Sequence, residues 1–484
     1  MPTPLPRHSQ DQSKTNPAMA DNSDVERLTP LDLLMPRAYI PMLMAFRTTE
    51  SIASVSPRLQ RGLDRLTEQV PWLAGRVHPT TRARGDMEAP TLEIRRDINE
   101  PAPTLVDRGS IEASYEALAA KGMPPESFPA DVWPVPIMID DALFTRGAPV
   151  FAASIFRFAD NQGIGLCVAM HHNAMDGTGY AEVIRLWIRS MTGSALPSPG
   201  IFRNRLDRLS NSLSSQLSAV VAKPLDSLFA SHPEYSRASP APATDLPPCT
   251  FRMFTIPTTR VNAIKQQLSS YMPRAPTTNT VFFAVLWSAV TRVRMQRNPA
   301  LATETSKMAI PVNGRRRIGA EFSTPDNPYL GNVVLYALPE LLGQGLSTSS
   351  APEALAKICH AIDQSHSPKI DLHHIAEVYS LVDRSEDYRA IGVSWDLLSG
   401  RHLAILSWAD FGLHGMDFGM GLGLPDFIRV PCGGGAADGL CLLLPRRVPV
   451  AADASEEVLE LLIVLRREDM HALEQDGIWQ SFAN

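Results

Sequence analysis

The stretch that decides the fold is residues 164–177, with the sequence IGLCVAMHHNAMDG. From Ile164 to Met170, large apolar residues alternate with small ones, and a period of two indicates a β-strand with one bulky face. Apolar residues then recur at helical spacing from Tyr180 to Met191. The stretch therefore predicts a buried strand, a short loop that carries two histidines, and a helix.

The loop has the residue types of a general base. An imidazole titrates near pH ~6.5, so His172 would be mostly unprotonated at neutral pH. The spacing to Asp176 lets the loop fold back, so that the carboxylate fixes the loop or pairs with an arginine without touching the ring. We expect Gly177 to supply a positive φ at the loop exit. No Ser or Cys lies in a strained elbow beside the histidines, so the pattern favours proton removal from a hydroxyl over covalent catalysis.

Two other readings of the histidine pair are ordinary loop polarity and half of a metal site. Histidines are also grouped later in the chain, at His360, His366, His373 and His374. These residues lack both the spacing of metal ligands and neighbouring cysteines. We expect no metal site and no permanently bound cofactor.

Composition narrows the class of protein. The chain has 484 residues, is 44% hydrophobic and carries a net charge of −6, so it does not favour nucleic acid as a partner. Its five cysteines are scattered, odd in number and without a CxxC pair, which predicts a reducing compartment and a cytoplasmic location. No apolar run reaches the ~18 residues of a membrane span.

Changes in composition along the chain predict its organisation. Residues 1–26 are rich in Ser, Pro, Asn and Asp and predict a disordered leader. Residues 196–248 show little of the apolar periodicity of strands or helices and are rich in Ser, Pro and Ala. This composition predicts a crossover linker, at least in the second half of the segment. The predicted lobes are therefore 27–195, which contains the histidine loop, and 249–484.

Strand and helix patterns are mixed throughout both lobes. A hairpin is predicted from Val150–Phe158 and Gly163–Met170, after a helix that runs from Ser56 to Val70. In the second lobe, the pattern predicts helices at Arg260–Ser270, Val281–Arg294, Pro352–Ser365 and Glu468–Gln475, and strands at Thr250–Ile256, Met308–Val312, Leu403–Trp408, Phe427–Val430, Leu440–Leu444 and Leu459–Val464. The predicted fold class is α/β with mixed sheets, or α+β, in two lobes of similar size.

A second motif lies near the C-terminus. Ser407 and Trp408 are followed, about nine residues later, by Asp417-Phe418-Gly419. With the His172–Gly177 motif, this pair of motifs resembles the BAHD acyl-CoA-dependent acyltransferases, in their fungal secondary-metabolite, trichothecene acetyltransferase-like branch. Three further stretches resemble family patterns, namely Pro71–Arg76, Asn313–Arg317 and Tyr329–Asn332. The similarity runs from about Leu28 to Gln475.

The sequence departs from the family pattern after Gly419. Met420 stands where the plant members have tryptophan, and the lysine of the following Trp-Gly-Lys-Pro is absent. Asp-Phe-Gly also occurs a second time, at Asp410–Gly412, and the spacing from Ser407 and Trp408 leads us to treat that copy as incidental. The plant family's substrate contacts therefore do not transfer to this chain.

The resemblance implies a fold and a reaction. It implies a chloramphenicol-acetyltransferase-like, two-lobed architecture with the active site in a tunnel between the lobes. Acyl-CoA would be the co-substrate, a hydroxyl of a fungal secondary metabolite would be the acceptor, and the protein would be a monomer. A freestanding condensation-like enzyme that uses a carrier-protein thioester, or forms an amide, stays open as an alternative, as does a non-catalytic binding protein on the same fold.

The resemblance also implies roles for individual residues. His172 would be the base and His171 a packed neighbour, while Asp176 would pair with Arg315 or, second, with Arg317. Gly177, Asp417 and Gly419 would support the site, with Asp417 holding its loop through an arginine. Trp408 and Ser407 would contact the oxyanion or the substrate. The last candidates lie at a helix N-terminus, where they would contact CoA or merely cap the helix: Thr278, Asn279 and Thr280.

Overall fold

The computed structural model describes residues 23–84, 86–97, 101–237, 247–347, 351–366, 369–419, 421–431, 437–447 and 457–484. The strands in the described part of the N-terminal half, to residue 195, are β1 Ser23–Arg27, β2 Tyr39–Arg47, β3 Arg76–Arg84, β4 Met87–Asp97, β5 Leu105–Ile111, β6 Ala148–Pro149, β7 Phe151–Phe158 and β8 Gly163–His171. Its helices are α1 Pro30–Leu33, α2 Ile52–Gln69, α3 Tyr115–Ala119, α4 Asp141–Arg146 and α5 Gly177–Thr192.

The rest of the chain alternates between strands and helices. Its helices are α6 Arg205–Val220, α7 Leu225–Ser231, α8 Thr258–Leu268, α9 Thr278–Arg297, α10 Arg315–Ile318, α11 Gly343–Ser347, α12 Pro352–His366, α13 Leu372–Arg384, α14 Arg467–Gln475 and α15 Gly477–Phe482. Its strands are β9 Tyr235–Ser236, β10 Cys249–Pro257, β11 Thr305–Asn313, β12 Val334–Ala337, β13 Glu340–Leu342, β14 Gly392–Val393, β15 Leu403–Ser407, β16 Phe427–Arg429, β17 Leu440–Leu443 and β18 Val458–Arg466.

Two large sheets organise the two halves. The five-stranded sheet has the order β16-β2-β8-β7-β5, and the seven-strand sheet has the order β10-β18-β17-β15-β11-β12, with β13 also paired to β11. Both mix parallel and antiparallel pairs, such as β5 with β7 and β7 with β8. The predicted α/β class with mixed sheets is confirmed.

Strand β8 lies at the centre of the first sheet, and all nine of its residues are buried. Its bulky face, including Ile164 and Leu166, packs against helices α2 and α5 in one core, while Cys167 points into a separate aromatic cluster on the opposite face. The indole N–H of Trp187 on α5 donates to the Leu59 carbonyl of α2 at 2.9 Å and fixes the two helices together. The alternation of large and small residues therefore predicted the two faces of the strand correctly.

The second half has its own core around helix α9. This helix is buried on nearly every side and packs with the inward faces of β10, β11, β15, β17 and β18. Buried Trp287 donates its indole N–H to the Ser306 hydroxyl at 2.9 Å. No helix in the described residues is both long enough and apolar enough to span a bilayer.

The predicted domain boundaries need three corrections. Residues 1–22 of the predicted leader lie outside the described residues, but Ser23–Arg27 forms a strand that pairs with β4. The predicted linker at 196–248 contains helices α6 and α7, whose apolar residues join the cores. Strand β16 comes from the second half but pairs with β2 in the first sheet, and Arg429 on it is ion-paired with Glu460 of β18 at 2.7 Å.

Candidate active site

The histidine loop begins where β8 ends. The backbone N–H of His172 donates to the Ala38 carbonyl at 2.9 Å, and Ala174 N–H donates back to the His171 carbonyl at 2.9 Å, which closes a turn. From the second half of the chain, the Asn332 amide donates to the His172 carbonyl at 3.0 Å. The backbone of His172 is therefore fixed by both halves of the protein.

The two histidines of the motif lie in different environments. His171 is fully buried, its Nδ1 accepts from the Asn173 N–H at 3.2 Å, and its ring packs edge-on against Tyr39. Burial, with a smaller contribution from His172, lowers the pKa of His171 to about 3. His171 is thus the packed neighbour that the sequence predicts.

His172 remains partly exposed. Burial of its ring lowers the pKa of His172, while the charge of Asp176, the residue's own carbonyl and the Asn332 side chain oppose that shift. An imidazole with a lowered pKa is a free base at neutral pH. Of the two residues, only His172 keeps some exposed surface, and its lowered pKa keeps the ring unprotonated at neutral pH.

The carboxylate of Asp176 is turned into the protein. Asp176 is the N-cap of α5, and its Oδ1 accepts from the Gly179 N–H at 2.9 Å while Oδ2 accepts from the Val333 N–H at 3.0 Å. Both oxygens also accept from Arg315, each at 2.9 Å. The predicted pairing with Arg315 is confirmed; Arg317 instead donates to the Asn313 carbonyl at 3.1 Å.

The structure corrects the expectation that Gly177 has a positive φ. It is the first residue of α5 and is not among the residues with positive φ. A Cβ there would lie 2.7 Å from the Phe411 ring and 3.4 Å from the indole nitrogen of Trp408. Glycine is required here because two aromatic side chains approach the backbone closely, not because of the φ angle.

The same contact brings Trp408 to the histidine loop. Trp408 is 9% exposed and stacks on Phe411 at 6.0 Å between ring centroids, directly after Ser407 at the end of β15. The Phe411 carbonyl accepts a hydrogen bond from Arg185 of α5. The Asp410–Gly412 copy of the motif, treated as incidental from the sequence, therefore packs against helix α5, which follows the histidine loop.

Asp417 has a different role from the predicted one. It is exposed, and its Oδ1 accepts from the Gly419 N–H at 2.7 Å in a tight turn where Gly419 has φ +61°. Within the described residues, Asp417 makes no ion pair with an arginine, so that part of the prediction is wrong. The buried member of the motif is Phe418, which packs edge-on against Phe46 and Trp187. Met420 lies outside the described residues.

The candidate CoA contacts lie at the start of α9. Thr277 is the N-cap and accepts from the Thr280 N–H at 3.0 Å. The Thr280 hydroxyl donates to Asp363 at 2.9 Å, so Thr280 has a structural partner already. For Thr278, whose hydroxyl lies 3.3 Å from the Lys265 amine, and for Asn279, the CoA role stays a prediction.

Sequence reasoning missed Asp32. Its buried carboxylate accepts from the backbone and side-chain N–H groups of Asn332 through Oδ1, and from the backbone N–H and hydroxyl of Thr29 through Oδ2, all at 2.8 Å. Its carbonyl accepts from the Asn173 amide at 2.8 Å. A local signal existed, because Thr29-Pro30-Leu31-Asp32 has the spacing of a capping box.

Comparison with known proteins decides the family. Residues 135–478 match the Transferase family, and residues 38–190 match the trichothecene 3-O-acetyltransferase-like N-terminal domain. The chain belongs to the Transferase family. These matches confirm the resemblance to the fungal branch of the BAHD acyltransferases.

Several relatives match nearly the full length of the chain. It is 26% identical to the trichothecene 8-O-acetyltransferase of Fusarium sporotrichioides, over 93% of this chain and 96% of that protein. Its fold is similar to that of F. graminearum TRI101 complexed with coenzyme A and T-2 mycotoxin, with a TM-score of 0.78 at 18% identity, covering 95% and 99% of the two chains. The fold of vinorine synthase is also similar, with a TM-score of 0.59 at 16% identity, covering 93% and 91%.

Proposed function

We propose that this protein is an acyl-CoA-dependent O-acyltransferase that moves an acetyl or other short acyl group to a hydroxyl of a fungal secondary metabolite. The observation that carries the proposal is His172, a partly exposed residue at a strand end, whose imidazole has a lowered pKa and whose backbone is held by both halves of the chain. The related trichothecene acetyltransferase supports the choice of acetyl group and hydroxyl acceptor.

In the proposed reaction, His172 removes the proton from the acceptor hydroxyl as that oxygen attacks the thioester carbonyl. The new C–O bond forms a tetrahedral oxyanion, the C–S bond then breaks, and the thiolate of CoA takes the proton from the imidazolium. The products are an ester and free CoA, without a covalent enzyme intermediate. General base catalysis of this kind contributes about 10²–10⁴-fold, and positioning of the two substrates contributes further.

The remaining residues have supporting roles in this proposal. The candidate donors to the oxyanion are Trp408, which lies beside the histidine loop, and Ser407, which precedes Trp408 in the chain. Asp176 and Arg315 hold the histidine loop. Gly177 leaves room for the side chains of Trp408 and Phe411. The turn formed by Asp417 and Gly419 positions Phe418 in the core. Thr278 and Asn279 are candidate CoA contacts. We expect the enzyme to act as a monomer in the cytoplasm, with the substrates entering through a tunnel between the lobes.

Acyl transfer without a carrier protein tests the proposal. The purified chain is incubated with acetyl-CoA and a panel of hydroxylated terpenoids, polyketides and alkaloids, and both thiol release and ester mass are measured. We expect acceptor-dependent thiol release with one ester per thiol. Thiol release that needs no acceptor would instead indicate a hydrolase, and transfer only from a carrier-protein thioester would indicate the condensation-like alternative.

The variant His172→Ala tests the base. We expect its kcat to fall about 10²–10⁴-fold while its circular dichroism spectrum is unchanged. His360→Ala is the matched control, because it removes an exposed imidazole on α12. Turnover by His172→Ala within tenfold of the wild type would refute the assignment of the base.

A further inference from the structure

A second group of titratable side chains lies away from the histidine loop, where the segment after α7 packs against α13. His232 follows α7 directly, Glu234 precedes β9, and His374 lies in the first turn of α13. His232 is 1% exposed, Glu234 is 5% exposed, and the His374 side chain is 14% exposed. None of the three residues takes part in the proposed acyl transfer.

The three side chains point their ligand atoms at a common centre. Nδ1 of His232 lies 3.0 Å from Oε1 of Glu234, and Nε2 of His374 lies 3.3 Å from that same oxygen. The three ligand atoms all fall within 4.8 Å of one another. Ligands held about 2.0–2.1 Å from a tetrahedral zinc ion are separated by about 3.3 Å, which is close to both short distances.

An outer carboxylate orients one of these ligands. The other ring nitrogen of His232, Nε2, lies 3.1 Å from Oε2 of Glu377, and Lys223 pairs with the second oxygen of that carboxylate. A histidine that binds a metal through one nitrogen usually donates its other N–H to a carboxylate in this way. Glu377 therefore aims Nδ1 of His232 at Glu234.

The site also has a buried nitrogen and free space. Nε2 of His374 is buried, and its 3.3 Å contact with Glu234 does not have the geometry of a hydrogen bond. The three ligands border a cavity of about 520 Å³, which leaves room for water as a fourth ligand. This nitrogen therefore lies beside a carboxylate and a second imidazole, in a place where a cation has room to bind.

We propose that His232, Glu234 and His374 bind a divalent transition metal ion, with zinc as the best match. Two imidazoles and one carboxylate suit zinc, cobalt or nickel, whereas magnesium and calcium prefer oxygen ligands throughout. The ion joins the segment after α7 to helix α13, so its role is structural. The sequence analysis expected no metal site, and it could not bring these residues together because His232 and Glu234 lie far from His374 along the chain.

Metal binding to the full chain tests this proposal. The protein is purified without a histidine tag, treated with EDTA and titrated with zinc in a calorimeter. We expect one zinc ion per chain with a micromolar or lower Kd, and at a free zinc concentration 100 times that Kd a rise in Tm of about 3 °C. Magnesium should give neither signal.

Variants locate the ion. His374→Ala should weaken zinc binding about 100-fold, and Glu377→Gln about tenfold through the outer carboxylate. His360→Ala, which removes an exposed imidazole elsewhere, should bind zinc as the wild type does. Equal loss in His374→Ala and His360→Ala would overturn the proposal.

X-ray absorption of the zinc-loaded wild-type chain requires no variant. We expect two imidazole nitrogens and carboxylate or water oxygens around the ion. If zinc does not bind stoichiometrically, the cluster consists only of two ion pairs, in which His232 and His374 each contact Glu234. If the ion has sulfur ligands, it binds elsewhere in the protein. Either result would overturn the proposal without bearing on acyl transfer, which is measured separately.

Discussion

The guanidinium of Arg315 binds the carboxylate of Asp176 through two parallel hydrogen bonds of 2.9 Å, and both side chains are buried. Arg315 also donates to the carbonyls of Tyr329 and Gly331 and to the side chain of Asn313, so all its N–H groups have partners. This pair ties the start of α5 to the second half of the chain, and it holds the histidine loop between them.

Removing the charge of Asp176 should therefore destabilise the protein. In Asp176→Asn, Arg315 remains buried without its counter-charge, and we expect the free energy of unfolding to fall by about 3 kcal/mol or more. Urea unfolding measures the change. Asp326→Asn is the control, because that exposed carboxylate lies 3.6 Å from Arg189 and should be dispensable. Equal stability of the two variants would contradict the structural role.

Asp32 should affect catalysis through Asn332. In Asp32→Asn, two of the donors that meet at this buried carboxylate lose their acceptor, and Asn332 no longer holds the His172 carbonyl in place. We expect kcat to fall at least about tenfold with little change in the KM for acyl-CoA. The exposed Asp141→Asn is the control. A rise in KM with kcat unchanged would show that Asp32 serves binding instead.

The close approach at Gly177 should make even one methyl group costly. Gly177→Ala places a Cβ 2.7 Å from the Phe411 ring and should destabilise the protein by about 1–3 kcal/mol as Phe411 and Trp408 shift. At Gly415 a Cβ would have no neighbour within 4 Å, so Gly415→Ala should change little. Thermal unfolding and turnover of both variants check this. If Gly177→Ala matches the wild type in both, the packing argument fails.

The lowered pKa of His172 sets the sign of the pH dependence. The base must be neutral, and a lowered pKa keeps it neutral to lower pH, so kcat/KM should stay level as pH falls through ~6.5 and decline only below that value. Ester formation, followed by chromatography, gives a readout that does not depend on thiol ionisation. A decline centred above pH ~6.5 would contradict the burial argument.

Acid should also weaken the fold through buried histidines. Burial lowers the pKa of His402 to about 4, below the ~6.5 of the unfolded chain. The unfolded state therefore binds more protons between these values, and stability is lost as pH falls below ~6.5. Between pH 7.5 and 5.5 we expect His402 to contribute about 1 kcal/mol of this loss. His402→Gln should reduce the pH slope of urea unfolding, and an unchanged slope would contradict the prediction.

The sequence by itself determined the local elements and the main catalytic candidate. The period-two alternation before His171 and the helical spacing after Asp176 report which side of each element is buried, so β8, the loop and α5 could be predicted closely. The choice of Arg315 as the partner of Asp176 came from family resemblance, and the geometry agrees.

Only the tertiary structure decided which distant residues meet. Periodicity shows that a face is buried but not what covers it, so the sequence did not reveal that Phe411 packs on Gly177 or that β16 joins the first sheet. The links between Asp32 and Asn332, and between His232 and His374, join positions that lie far apart along the chain. Such contacts form only when distant segments of the chain pack together, because no local pattern encodes the partner of a buried polar group.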